Sequence, residues 1–284
     1  MPVLYDLKNR KSLISFRGPD AASFLQGQTT CDVMSLTKQN NLFGALCNPK
    51  GRVIALFHLV RKGDTFLMLI DNELRDTVIK RLRMFIFRAD ILIEDISEKH
   101  HLYGATQPLS EELSESIKTS AIININTTNE LTIYITQTTA TPDNIDIELR
   151  NWNLALTACC FPEINTSTSE LFIPQMLNMD LLDGINFQKG CYTGQEIIAR
   201  LHYKGSVKQR LFIYQSDKPV ITGQTLYLLG ESNSMGVILS TTTVDETHST
   251  GLAVLKTTLV DNELMLEDQL TLKIQAPKYG LQTL

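Results

Sequence analysis

Gly205 divides this chain into two kinds of sequence. After it come five short β-like runs, Val207–Tyr214, Thr225–Leu229, Gly236–Ser240, Gly251–Leu255 and Leu270–Ile274, broken by glycine and threonine. Short strands at regular intervals predict a small closed β-barrel. Before Gly205, helix and strand signals alternate. Gly18-Pro19-Asp20 opens a helix that carries Phe24 and Leu25 and stops at Gly27. Strand-like runs follow at Leu42–Cys47, Arg52–Arg61 and Thr65–Ile70, separated by Asn48-Pro49-Lys50-Gly51 and Lys62-Gly63-Asp64. Asp71 or Asn72 caps a helix with Leu74, Val78, Leu82 and Phe85 at helical spacing, and Ile91–Ile96 returns to strand. The later runs Ala121–Ile125, Leu131–Gln137 and Ile145–Leu149 repeat the theme, and 163–170 reads as a loop. The fold class is therefore α+β, with units at 1–100, 101–205 and 206–284.

Chemistry gathers at Lys189-Gly190-Cys191-Tyr192-Thr193-Gly194-Gln195-Glu196, where a thiol sits between two glycines ahead of a helix start. Thr193 and Glu196 have capping-box spacing, which predicts a helix from Gly194. Ile197, Ile198 and Leu201 give it an apolar stripe, and Gly205 is the expected left-handed stop. The helix N-terminus and Lys189 together favour a thiolate at Cys191 or a bound anion. Each residue also has a plainer reading. Cysteine is often a small buried hydrophobe, glycines serve turns, Tyr192 packs as readily as it stacks, and Glu196 has its capping work. His202 reads as a surface residue, while His58, His100 and His101 lack metal-ligand spacing.

Composition narrows the class. No apolar run approaches the roughly 18 residues that span a bilayer, and the N-terminal residues lack the charged and apolar regions of a signal peptide, so a cytoplasmic location is expected. Five cysteines without Cys-x-x-Cys spacing fit reduced thiols, and argue against a metal or iron–sulfur cluster held by this chain. A net charge of -5 disfavours wholesale nucleic-acid binding. Two local basic clusters remain. Arg75, Lys80, Arg81, Arg83 and Arg88 face only Asp76, and Arg200, Lys204, Lys208 and Arg210 face no acid in sequence. They are either solvated faces or docking surfaces for RNA phosphate or a folate glutamate tail.

The 189–196 stretch resembles the signature of the YgfZ family, folate-binding relatives of the glycine-cleavage T-protein that support iron–sulfur enzymes, including tRNA-modifying ones. The likeness extends to Pro174-Gln175-Met176-Leu177-Asn178-Met179-Asp180, Gly184-Ile185-Asn186-Phe187 and Ala199-Arg200, and to Phe24-Leu25-Gln26-Gly27-Gln28-Thr29-Thr30-Cys31-Asp32-Val33 and Asn48-Pro49-Lys50-Gly51-Arg52. These blocks span roughly three quarters of the chain in the family's order. The resemblance implies two related α/β lobes that bind tetrahydrofolate or a derivative, followed by a C-terminal barrel. It implies that Gln26, Gln28, Thr29 and Asp32 line the folate cavity with Tyr192, Gln195 and Glu196, that Arg200 and Lys204 meet the glutamate tail, and that Cys191, beside Lys189, is the reactive group. The implied partner is an iron–sulfur client such as a radical tRNA methylthiotransferase, with tRNA as a further partner. Two departures stand out. Gly51-Arg52-Val53-Ile54 is followed by Ala55 and Leu56 where T-proteins carry acid, which argues against aminomethyl transfer, and Met176 stands where many relatives carry glutamate. Three readings stay open: a folate-binding protein without classical turnover, a folate-dependent transferase or demethylase, and an RNA-binding adaptor using Arg75–Arg88.

Overall fold

Ser12 to Phe16 are five consecutive buried side chains, and because successive strand residues point to opposite faces, their strand must be covered on both. In the computed structural model, which describes residues 3–111, 115, 119–125, 131–137, 145–230, 232–259, 263–265 and 270–281, this strand lies inside an antiparallel sheet. It is β2 (Lys11–Arg17), between β5 (Thr65–Asp71) and β6 (Leu92–Asp95), and the order β3-β4-β5-β2-β6 is completed by β3 (Asn41–Cys47) and β4 (Val53–Lys62). The hairpins turn at the expected breakers. Helix α1 (Ala21–Gln28) runs one residue past Gly27, which lies in open space inside it. Asp71 accepts from the Glu73 N–H at 3.1 Å and starts a 3-10 turn that leads into α2 (Arg75–Arg83), where Val78 and Leu82 are buried.

The second sheet has the order β10-β1-β7-β9-β8, and its β1 (Leu4–Asp6) comes from the far N-terminal end. Its neighbours are β7 (His101–Ala105), antiparallel, and β10 (Ile145–Asp146), parallel; β8 (Thr119–Ile125) and β9 (Leu131–Thr136) complete it. The expected strand Ile145–Leu149 stops at Asp146. Leu149 takes φ 57° and begins α3 (Arg150–Ala158), a helix the sequence pattern did not predict because leucine at the N-cap gives no start signal. Trp152 of α3 lies so close to Gly104 that a Cβ there would come within 2.8 Å of the indole.

After α4 (Gln195–Lys204) the chain is β, as expected: β11 (Gln209–Ser216), β12 (Thr225–Tyr227), β13 (Ser234–Thr243), β14 (Ser249–Lys256), β15 (Glu263–Met265) and β16 (Thr271–Gln275). Their order is β12-β13-β14-β11-β16-β15, and no pairing joins β12 to β15 among the described residues. The expected closed barrel is instead a curled half-barrel. Closure is unnecessary for burial, since Leu211 and Ile213 of β11 join the main core while Phe212 and Tyr214 join a second core on the other face. No helix among the described residues is long and apolar enough to cross a membrane.

Arg210 and Asn178 fasten this third sheet to the middle of the chain. Arg210, only 5% exposed, pairs bidentately with Asp180 at 2.5 and 2.9 Å and donates to the Gln175 carbonyl at 2.9 Å. The sequence grouped Arg210 with bases lacking a counter-charge, and the fold supplies one from thirty residues upstream. Asn178 donates to the Leu211 carbonyl at 2.9 Å and to the Tyr279 hydroxyl at 3.0 Å. Removing one partner of a buried ion pair leaves the other uncompensated, so Arg210→Met should lower stability by about 3–5 kcal/mol in urea unfolding. A loss under about 1 kcal/mol would show the pair to be idle.

Candidate functional site

Lys189 organises the signature stretch. Asn186 turns the chain toward it, accepting from the N–H groups of Gln188 at 2.8 Å and Lys189 at 2.9 Å. The Lys189 ammonium then donates to the carbonyls of Gln26 at 2.7 Å, Thr29 at 2.8 Å and Cys31 at 2.6 Å, and lies 5.2 Å from the Tyr192 ring centroid. An ammonium has three N–H donors, and all three are used. Burial lowers its pKa to about 8, partly opposed by Cys31 and Asp32. Lys189 therefore has no donor left for a thiolate at Cys191, and it acts as a clamp on the loop after α1. Cys191 is the exposed cysteine of the five.

The same loop is sewn down elsewhere. Thr30 donates to the Gly184 carbonyl at 2.6 Å and accepts from the Ala45 N–H at 2.9 Å, and the Asn186 N–H meets the Thr30 carbonyl at 2.9 Å. Gln26 donates to Asp32 at 2.8 Å and accepts from the Val33 N–H at 2.7 Å, while Asp32 caps the following 3-10 turn. Thr29 is buried and donates to the Leu25 carbonyl at 2.8 Å, and Gln28 is half-buried. Tyr192 is buried, which raises its pKa, as do Cys47 and Cys31. Burial likewise lifts Cys31 to about 11 and Cys47 to about 12. Gln195 is half-buried, and Glu196, Arg200 and Lys204 are exposed along α4.

Two details of α4 correct the sequence reading. The capping box does not form: Gly194 is the N-cap, at φ 86°, and no side chain caps the helix. The glycine is needed because a Cβ there would come within 2.6 Å of the Asn48 carbonyl oxygen and 3.0 Å of Gly51 Cα. The Asn48–Arg52 turn thus packs directly on the helix start. At the other end Gly205 is extended, at φ -124° and ψ -177°, rather than left-handed. His202 stacks on Phe187 with centroids 3.7 Å apart, and Tyr203 is 65% exposed beside them.

The first basic cluster is largely spent on the fold. Arg75 pairs with Asp76 and Asp95, Arg81 donates to the Cys47 carbonyl, and Arg83 donates to the Ile93 carbonyl. Among the described residues no three His, Cys, Asp or Glu side chains are arranged to hold a metal ion.

A polar cavity of about 210 Å³ is walled by the first sheet, the third sheet and α3, lined by Arg10, Asp71 and Glu73, by Asn153, Leu156 and Thr157 of α3, by Phe161, Glu163 and Asn165, and by β13 and β14. None of the predicted site residues lines it. Asp71 and Glu163 also wall a smaller cavity of about 30 Å³ with Lys11, Leu56 and His58. Lys11 lies 2.5 Å from Glu163 and 3.9 Å from Asp71, and Arg10 is 3.4 Å from Glu163. Burial alone would raise the Glu163 pKa, but Lys11 and Arg10 outweigh it and hold the carboxylate ionised. Burial dominates at Asp71 and raises its pKa. His58 sits between Phe43 and Phe161 with no partner for Nδ1, and burial drives its pKa down to about 3. No spacing rule could assemble Lys11, His58, Asp71 and Glu163, which come from β2, β4, β5 and the loop after α3.

No family model matches the chain. The tRNA-modifying protein YgfZ of Colwellia psychrerythraea is 33% identical over 223 residues, covering 72% of this chain and 68% of the relative. YgfZ of Blochmanniella pennsylvanica is 30% identical over 236 residues (75% and 71%), and that of Aliivibrio fischeri 29% identical over 300 residues (95% and 90%). Among solved structures, the glycine cleavage system aminomethyltransferase T of Bartonella henselae superposes with a TM-score of 0.76 at 14% identity, covering 98% of this chain and 86% of that one. At that identity the likeness is one of fold.

Gly194→Ala should cost on the order of 3 kcal/mol in urea unfolding, from a left-handed backbone plus overpacking. Gly190→Ala, in open space, should change stability by less than about 0.5 kcal/mol. His58 makes a pH prediction. Between about pH 6.5 and pH 3 the unfolded chain holds a proton at this residue that the native state does not, so stability falls as pH falls through that window. His58→Phe should therefore gain about 2 kcal/mol relative to the parent between pH 7 and pH 5. An unchanged difference between the two pH values would show that His58 titrates in the native state.

Proposed function

The chain belongs to the YgfZ family, and from that membership we propose that it binds a reduced folate and supports iron–sulfur enzymes that modify tRNA. The observation that carries the folate half is the polar cavity walled by the first sheet, the third sheet and α3 in a T-protein-like fold. Its residues fit a pterin. Glu163, kept ionised, accepts from the amino-pyrimidinone edge, while Phe161 and Leu156 offer apolar walls. A volume near 210 Å³ suits the ring system, with the glutamate tail outside. Arg10, at the cavity, replaces Arg200 and Lys204 as the cation for that tail. The lobes 1–100 and 101–205 form the folate unit, 206–284 covers it, and the protein works in the cytoplasm. Bound folate supplies a one-carbon carrier, and the exposed Cys191 is the group that meets the iron–sulfur client, such as a radical tRNA methylthiotransferase.

One observation favours a second reading, a folate-dependent one-carbon transferase or demethylase. The acid missing after Ile54 in sequence is present in space, since Asp71 and Glu163 share the small cavity with Leu56 and have pKa values pushed in opposite directions. Such a pair can divide acid and base roles.

Calorimetry with tetrahydrofolate should give binding that Glu163→Gln weakens at least tenfold and Cys191→Ala leaves unchanged. In a complementation assay Cys191→Ala should lose the activity of the tRNA-modifying client. Absence of binding at millimolar tetrahydrofolate would end the folate reading, and turnover of an aminomethyl or N-methyl donor by purified protein would favour the second.

A further inference from the structure

A groove of about 350 Å³, larger than the central cavity, lies where β2, β5 and β6 of the first sheet meet the segment 99–100 and Gln137. Its charge opposes that of the whole chain, because among the described residues Arg17, Lys62 and Lys99 line it against the one carboxylate of Glu94. Glu94 is already paired with Arg17. Lys62 and Lys99 are exposed and make no ion pair among the described residues. Both lie close enough to His100 to act on it: burial is the main cause that lowers its pKa, and these two ammonium groups add to the effect, against a hydrogen bond to Ile96.

The remaining walls are neutral. His100 Nδ1 is 3.1 Å from the Ile96 carbonyl oxygen and so carries the proton, which leaves Nε2 to accept from the Gln137 amide at 3.3 Å. Thr65 adds a hydroxyl and Leu67 an apolar wall. Point-charge lysines, an arginine and a hydroxyl are the donors that contact phosphate oxygens, and among the described residues no Phe, Tyr or Trp ring lines the groove. The cations come from three elements, the β4–β5 hairpin, the end of β2 and the turn before β7.

We infer that this groove holds the sugar-phosphate backbone of an RNA strand, with Lys62 and Lys99 as its phosphate-binding residues. The choice of RNA among polyanions rests on the reading that the protein serves tRNA modification. The contact is independent of sequence, so its affinity falls steeply with salt.

The test is fluorescence anisotropy of labelled tRNA with full-length protein across a salt series, using the parent, Lys62→Glu/Lys99→Glu, and a control with equal charge change, Lys38→Glu/Lys278→Glu, at exposed positions away from the groove. The groove variant should bind at least tenfold more weakly at about 50 mM salt, with the log–log salt slope reduced by about 2. The control should stay within about twofold. No tRNA binding by the parent, an unchanged groove variant, an equal loss in the control, or binding of inorganic phosphate or anionic vesicles without tRNA would each overturn the assignment. A tetrahydrofolate titration and a thermal melt on the same variants separate the two proposals. Folate affinity and melting should be untouched by the lysine changes, and failure of folate binding with retained, groove-dependent tRNA binding would sink the folate reading alone.

Discussion

A charged ammonium can be kept away from water only where acceptors surround it, and the three carbonyls of Gln26, Thr29 and Cys31 do this for Lys189. The cage ties two segments far apart in sequence, the loop after α1 and the turn before α4. Thr30 and Asn186 repeat the tie with backbone partners, and Gly194 lets the Asn48–Arg52 turn close against the helix start. Three blocks that look separate along the chain are thus one packed unit, with Cys191 on its surface.

The centre of the molecule works by a different balance. Lys11 and Arg10 hold Glu163 ionised in surroundings that would otherwise neutralise it, while the same surroundings prevail at Asp71 and keep His58 uncharged. Polar groups with opposed tendencies share the cavity walls, and the chain retains them at a cost to stability that a purely apolar junction would avoid. A binding site with selective polar recognition needs that arrangement.

Much of this was legible in the sequence. The blocks 24–33, 48–52, 174–180 and 184–200 identified the family, and glycine and proline breakers located the first sheet's hairpins to within a residue or two. What failed did so for local physical reasons. The Thr193–Glu196 spacing suggested a capping box, but contact with Asn48 and Gly51 forces the left-handed residue to Gly194 and the helix begins uncapped. Helix α3 was hidden because Leu149 gives no start signal, and β1 because three residues carry no periodicity. Charge runs misled most: Arg81, Arg83 and Arg210 find their partners only through tertiary structure, and Arg75 adds Asp95 to its sequence neighbour Asp76. The cavity residues Lys11, His58, Asp71 and Glu163 converge from four elements, so no motif could announce them.

The strand Leu4–Asp6 pairs with His101–Ala105 on one side and Ile145–Asp146 on the other, although it precedes both by a long stretch of chain. During synthesis it leaves the ribosome well before either neighbour exists. The strands of the first sheet, by contrast, all lie between residues 11 and 95, so its pairings need no later strand. The N-terminal strand therefore pairs non-locally, and contacts of that kind slow folding because long loops must close before they form.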